Sequence, residues 1–456
     1  MLALTALLAS CATAPKRSVE PGPAPAPPPP PTAPNGITIA AVGDIMLGTD
    51  YPDNVLPDDD GVGFLAGITP ILSAADITFG NLEGVLMDGG EAVKRCKPAS
   101  KRKTDVTNKA PAPTAAPAPS PPDTAANAPE PQATSPAQPD ASDLPAPPTE
   151  EASTGDATNP TPGAAAAASA NTPEPAAPPT AEAPPTPAPA GSCFVFRSPT
   201  RYANYLHAAG FDVASLANNH AQDFGDAGRD STMRTLDAVG IRHSGRIGDV
   251  AEWTTRGRRF ALVAFAPNIG SHQLNDLAGA REIVKQLAAR HDIVIVSFHG
   301  GGEGEGAAKL PFAHEIYQGE DRGDVVEFAH AVVDAGADLV IGHGPHVLRP
   351  LELYHERLIA YSLGNFATYY GISVNGVRGI AAVLVARIAA DGRFIDGTIN
   401  PTVQIRPAGP TLDPQRRAVT LLRNLTNEAF PDGTVVIADN GRVTSRTATA
   451  AAHVSE

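Results

Sequence analysis

Asp324-Val-Val-Glu-Phe-Ala-His-Ala-Val-Val-Asp-Ala335, then Gly-Ala-Asp338-Leu-Val-Ile341, then Gly342-His343-Gly344-Pro345-His346: this stretch decides the fold. The first piece has a helical pattern, the second is a short apolar run of strand length, and imidazoles follow the strand directly. Helix, buried strand and polar loop make one unit of a layered α/β or α+β protein. The same patterns recur along the chain. They predict strands over Ile37–Val42, Asp76–Phe79, Asp212–Leu216, Phe260–Phe265, Ile293–Ser297, Asp338–Ile341 and Leu358–Ser362, and a further strand over Gly379–Ile388. Helices are expected over Pro199–Ala209, Gly225–Val239, Ala278–Ala289 and Asp324–Ala335, with a C-terminal helix within Leu412–Phe430 before a polar tail. Polar residues sit directly after several strands, and in open α/β sheets the crevice beyond the carboxyl ends of strands is where ligands bind.

Composition limits how much of the chain is core. Of 456 residues, 47 are Pro and only 5% are aromatic. The Pro falls in two tracts, Pro15–Pro34 and Pro98–Pro189, and the second holds no Phe, Tyr, Trp or Ile. Such a segment buries too little apolar surface to offset the entropy of ordering it, so it is expected to be disordered. What remains is about 275 residues, enough for one large domain, interrupted once. The net charge of −15 argues against a general nucleic-acid binder. The one cluster of cations, Lys94–Lys103, reads as a solvated linker edge.

The N-terminal run ends in Leu8-Ala9-Ser10-Cys11, which resembles a bacterial lipobox in which Cys11 is lipidated; a truncated signal peptide is the alternative. Pro15–Pro34 then reads as a semi-rigid stalk. Export permits a disulfide, and Cys96 and Cys193, at the two ends of the insert, are predicted to pair. The expected division is 1–11 signal segment, 12–35 stalk, 36–96 and 192–408 the two parts of one domain, 97–191 disordered insert, and 409–456 C-terminal helix and polar tail.

Five strand-end motifs carry chemistry: Gly43-Asp44-Ile45-Met46-Leu47-Gly48, Asn81-Leu82-Glu83, Asn218-Asn219-His220-Ala221-Gln222-Asp223-Phe224-Gly225, His299, and Gly342-His343-Gly344-Pro345-His346. They supply carboxylates, an amide and imidazoles, a set that suits one or two ions of Mn, Fe or Zn. Each also has a plainer reading. Asp44 alone would cap a turn, His299 would be a satisfied core histidine, and Asn218 reads as a local hydrogen-bonding turn rather than a ligand. The Gly300–Gly306 run lacks the ending of a P-loop and reads as a flexible loop at the site rim, with Glu303 and Glu305 solvated. Ser198 is expected to be a helix N-cap with Pro199 at the first helical position; a contact of Arg197 with a substrate anion is only the alternative to a structural role.

In order along the chain, these motifs and Tyr361-Ser362-Leu363-Gly364-Asn365-Phe366 resemble the signatures of the CapA family of capsule (poly-γ-glutamate) synthesis proteins, which is similar to the calcineurin-like metallophosphoesterases. The resemblance implies an α/β fold, a four-layer αββα sandwich of the metallophosphoesterase type, here interrupted by the long disordered insert. It implies Asp44 as the opening metal ligand, Glu83 as a bridging carboxylate, Asn219, His299, His343 and His346 as further ligands, and His220 as the catalytic acid or phosphate contact. Asp223 would hold the loop that presents Asn219 and His220. Two departures stand out. Met46 occupies the place of a superfamily His, and the late Gly-His-x-His is one residue longer, which leaves His346 a ligand, an outer support or a substrate contact. Two metals about 3.5–4 Å apart would stabilise both the attacking and leaving oxygens of a phosphoryl displacement. The function implied is a membrane-anchored hydrolase of the cell envelope acting on a phosphoester or anionic polymer, with capsule synthesis proteins as partners. A non-catalytic polymer tether and a secreted nucleotidase are the alternatives; base stacking in the latter would fall to Tyr369 and Tyr370.

Overall fold

The computed structural model describes residues 36–94 and 194–446. Cys11, the 12–35 stalk, the Cys96–Cys193 pairing, the 97–191 insert and the end of the C-terminal tail lie outside the described residues. Those described belong to one compact unit whose chain is divided by residues 100–187.

The chain begins one sheet with β1 (Ile37–Met46), β2 (Ile77–Leu82), β3 (Val213–Ser215) and β4 (Arg242–Ser244). It then builds a second from β5 (Ala251–Thr255), β6 (Arg258–Ala266), β7 (Ile293–His299), β8 (Leu339–His343), β9 (Leu348–Tyr354) and β10 (Arg357–Leu363). Finally it returns to the first with β11 (Asn365–Thr368), β12 (Ile380–Ile388), β13 (Phe394–Gln404), β14 (Val435–Ile437) and β15 (Arg442–Ser445). The main helices are α1 (Tyr202–Ala209), α2 (Gly225–Ala238), α3 (Leu277–Ala288), α4 (Val325–Asp334) and α5 (Arg417–Ala429). The first sheet runs β14-β15-β13-β12-β1-β2-β3-β4, with β11 also on β1; the second runs β9-β10-β8-β7-β6-β5. β1 to β4 are parallel along the first sheet, and β6, β7, β8 and β10 along the second. The carboxyl ends within each parallel set therefore share an edge.

Strand alternation sends side chains to both faces. Ile37, Ile39 and Ala41 of β1 join one apolar cluster with Leu262 and Ala264 of β6 and Ile293 and Ile295 of β7, so the two sheets pack on each other. Ala40 and Val42 face the other way, against Tyr202 and Leu206 of α1 and Leu236 of α2. In the second sheet Val263, Val294 and Val296 meet Val284 and Leu287 of α3 and Phe328 and Val332 of α4. With both faces covered, central strands read as unbroken apolar runs, and each fully buried aliphatic side chain contributes roughly 1.5–3 kcal/mol.

The expected strands and helices are present, most displaced at their ends by a few residues, so the mixed α/β class holds. Two local readings are corrected. Ser198 is no N-cap: its hydroxyl donates to the Gly48 carbonyl at 2.6 Å, and α1 starts only at Tyr202, after a turn. The region after α5 is not a plain polar tail, because β14 and β15 form a hairpin that pairs with β13 and buries Val435, Ile437 and Val443. Strands of three or four residues carry too few alternations to be read from sequence. No helix among the described residues is long and apolar enough to cross a membrane.

Candidate metal centre

Pairing register brings the strand-end residues together. Asp44 lies opposite Asn81 on β2 and Asn365 on β11, and His299 lies opposite His343. Both pairings of β1 shift register beside Asp44, and such irregularities re-aim a side chain at a strand end. Gly43 is required there. A Cβ on it would fall 1.8 Å from the Gly364 carbonyl oxygen, which accepts the Asp44 N–H at 3.0 Å.

The extra residue of the His343–His346 motif is absorbed by backbone. Gly344 has φ +107° and His346 has φ +58°, and this turn brings His346 back over the carboxylates. His346 Nδ1 lies 3.2 Å from Asp44 Oδ2, and its Nε2 lies 3.7 Å from Glu83 Oε1. Donor atoms of Asp44, Glu83 and His346 fall within 4.8 Å of one another, a spacing that one cation can bridge. His343 Nδ1 is 3.7 Å from Asp44 Oδ1. Asn81 ties the group together: its amide nitrogen donates to Asp44 Oδ1 at 2.9 Å and lies 3.4 Å from His299 Nδ1. Asn218 in turn donates to Asn81 Oδ1 at 3.1 Å and accepts the His220 N–H at 3.0 Å. It is the hydrogen-bonding turn expected of it.

His220 sits at one side of this cluster. Its Nδ1 is 2.7 Å from Asp223 Oδ2, and its ring lies on Phe196 with centroids 4.2 Å apart. The Lys94 ammonium reaches Asp223 Oδ1 at 3.0 Å and the Asn219 carbonyl at 3.2 Å.

Burial opposes ionisation of Asp44, but the hydrogen bond and charge of His346, helped by His343 and His299, hold its carboxyl well below the usual range. Glu83 goes the other way, pushed up to about 8 by burial with Asp44 and Glu303 nearby. His346 is disfavoured as a cation by burial, yet Glu83, Asp44 and Glu303 raise it to about 10. His343 falls to about 4 through burial, and His299 falls well below its ordinary value through burial and the Arg322 charge. A site that mixes raised and lowered groups at such close range is typical of ligand or reactive centres.

The fit to a metal is tested by the polar atoms themselves. Both Glu83 carboxylate oxygens, Asn219 Oδ1, His299 Nε2 and both His343 ring nitrogens are buried and make no hydrogen bond among the described residues. Buried polar groups are ordinarily satisfied, and these are oxygen and imidazole donors, the set that a borderline divalent ion takes. The residues fit. A concavity of about 370 Å³, beside Thr38 at the far end of β1, is lined by Arg387, Asp396 and Arg442 and lies away from these groups.

Every candidate ligand within the described residues lies at this edge, with Asp44, Glu83 and His346 closest. Met46 packs with Phe196 and Ile372 instead of offering a ligand. Several local readings, favoured and alternative, are corrected. Arg197 is not free for a substrate: its Nε pairs with Asp50 at 2.5 Å and its Nη1 donates to the Gly90 carbonyl at 2.6 Å. Lys94 is no solvated linker residue, and Glu303 is part-buried against Arg322 at 3.0 Å. The 300–306 run is pinned, since Gly301 N–H donates to the Arg322 carbonyl at 2.9 Å and Gly304 N–H to the Pro345 carbonyl at 3.0 Å. Tyr369 is 4% exposed and packs on Phe64, which leaves it no face for a base. Sequence reasoning gave Asn81 no role within its motif and missed Lys94 and Arg322 as site residues, because a cation outside a spaced motif carries no signal of its own.

Residues 174–370 match the family model of the bacterial capsule synthesis protein PGA_cap. The chain is 31% identical over 178 residues to the capsule biosynthesis protein CapA of Bacillus anthracis, covering 35% of this chain and 40% of that protein. It is 31% identical over 175 residues to the PGA biosynthesis protein CapA of Bacillus subtilis, covering 34% and 42%. A probable polyglutamine synthesis accessory protein of Mycobacterium tuberculosis is 32% identical over 189 residues, covering 35% and 45%. The chain thus spans less than half the length of these curated relatives. A 5'-nucleotidase precursor from Thermus thermophilus matches at 16% identity over 48% of this chain and 44% of its own; at a TM-score of 0.27 that likeness carries no argument.

Proposed function

We propose that the chain, which matches the capsule-synthesis family model through residues 174–370 and CapA relatives over less than half their length, belongs to the CapA family and that its folded part is a divalent-metal-dependent hydrolase of the metallophosphoesterase type. Its substrate is a phosphoester or a linkage of an anionic capsule polymer, and it works at the bacterial cell envelope with other capsule synthesis proteins, held there by a lipid on Cys11. We read the fold as a four-layer αββα sandwich, a reading supported by the three apolar clusters between and outside the sheets.

The observation that carries the proposal is the set of buried, unpaired donor atoms beside Asp44, on Glu83, His299 and His343. Asp44, Glu83 and His346 would hold the first ion, with His299, His343 and Asn219 completing its surroundings or holding a second. When bound, a divalent ion polarises a phosphoryl or acyl oxygen and lowers the pKa of water. The chain's own residues handle the remaining proton. Asp223 takes His220 Nδ1 and so leaves Nε2 for proton transfer. Burial lowers the pKa of His220, and Lys94 adds to this against the pull of Asp223, so the imidazole is neutral near pH 7 until an anionic substrate lies beside it. The proton it then takes up from solvent is donated to the leaving oxygen.

The test is Mn²⁺-dependent hydrolysis of an aryl phosphodiester by the full chain, compared with His220→Ala and Asp44→Ala. Both variants should fold and lose at least about a hundredfold in rate. Wild-type rates in either variant would remove that residue from the mechanism, and no hydrolysis by the wild type with any divalent metal would favour a polymer-binding role.

A further inference from the structure

Arg322 ends the segment that leads from the glycine-rich run into α4. It is 1% exposed. One terminal nitrogen, Nη1, donates to Glu303 Oε1 at 3.0 Å and Glu320 Oε2 at 3.4 Å. The other donors, Nε and Nη2, are buried and make no hydrogen bond among the described residues. Those two nitrogens form one side of the planar guanidinium, the edge that matches two oxygens of a phosphate or carboxylate in a bidentate contact. A buried cation with that edge open is costly unless a partner meets it.

The edge lies at the metal centre. A Cβ on Gly344, between His343 and His346, would stand 3.1 Å from Arg322 Nη2 and 3.2 Å from His299 Cδ2. The glycine therefore lets the backbone between the two imidazoles come close to Nη2 with no side chain against it. Glu303, which anchors the opposite side of the guanidinium, also approaches His346 Nε2 at 4.0 Å. The cation is thus held at Nη1 by two carboxylates, and its unpaired Nη2 lies beside the turn that carries His343 and His346.

We propose that Arg322 is the oxyanion-binding residue of this site, its Nε–Nη2 edge gripping two oxygens of a phosphoryl or carboxylate group of the substrate. The assignment rests on the reading of the cluster as the reactive centre, and it adds the chemistry by which substrate is held: an anionic tetrahedral or planar group presented edge-on to a guanidinium.

The experiment is calorimetric titration of the metal-free full chain with inorganic phosphate, for wild type and Arg322→Lys, with Mn²⁺ binding measured separately on both. Lysine keeps the charge and loses the edge. Phosphate affinity should fall at least tenfold in Arg322→Lys while Mn²⁺ affinity stays within a factor of a few. Equal phosphate affinity in the two proteins overturns the proposal. Should Arg322→Lys fail to fold, the arginine Nε–H resonances of ¹⁵N-labelled wild type decide it: a shift on adding phosphate supports the contact, and none overturns it. Acetate competing at similar concentration assigns the grip to carboxylates, and acetate failing to compete assigns it to phosphoryl groups. Absence of Mn²⁺ binding by the wild type would sink the metal-dependent reading, while the metal-free phosphate titration would still decide Arg322.

Discussion

His346 holds its place among Asp44 and Glu83 through a backbone that few residues adopt. Its φ of +58°, next to Gly344 at +107°, lies in the left-handed region where a side chain other than glycine is strained. The strain brings an imidazole to two buried carboxylates. Gly344→Ala should therefore be punished twice, since its Cβ would also crowd Arg322 and His299. We expect a loss of about 1–3 kcal/mol in urea unfolding, and an unchanged midpoint would show that the turn relaxes freely. The residues with motif spacing, Asp44, Glu83, Asn219-His220 and His343–His346, were legible in the sequence because each follows an apolar run. Asn81 stood within a motif but without a role, and Lys94 and Arg322 stood in polar segments. Their part comes from burial and neighbours, which one sequence does not display.

At the level of elements, the second sheet is tied at the amino ends of its parallel strands by Asp338, just before β8. Its carboxylate accepts the Val294 N–H of β7 at 2.9 Å and Arg357 Nε of β10 at 3.0 Å. Burial nonetheless raises its pKa to about 6, against the pull of Val294 and Arg357. The folded state thus holds this proton more tightly than the unfolded chain does. Its contribution to stability is complete below about pH 4 and is lost as pH rises to about 6. Relative to Asp338→Asn, the wild type should lose on the order of 2 kcal/mol across that window, read from urea midpoints at pH 4 and 6.5. Parallel pH profiles for the two proteins would contradict the assignment. The long strands were legible because both faces are covered. The β14–β15 hairpin was not, since three or four residues give no period, and the start of α1 was misplaced because Ser198 spends its hydroxyl on Gly48 rather than on a helix end.

Across the molecule, the candidate centre belongs to neither sheet alone. Asp44 lies near the end of β1 and Glu83 and Asn219 follow β2 and β3, whereas His299, His343 and His346 come from β7, β8 and the loop after it. The layered class could be read from alternating strands and helices. The return of the chain to the first sheet through β11 to β15 could not, because strand order depends on pairings between distant segments. The centre exists only where the two sheets meet, so its defining property is one that neither half of the chain supplies. The property we propose for it is divalent-metal binding, and the direct measurement is Mn²⁺ stoichiometry and affinity by equilibrium dialysis on the full chain, with Glu83→Gln and Asp44→Asn alongside. At least one equivalent bound by the wild type, weakened by about tenfold or more in each variant, is the predicted result. No binding by the wild type, or equal binding by all three, would contradict it.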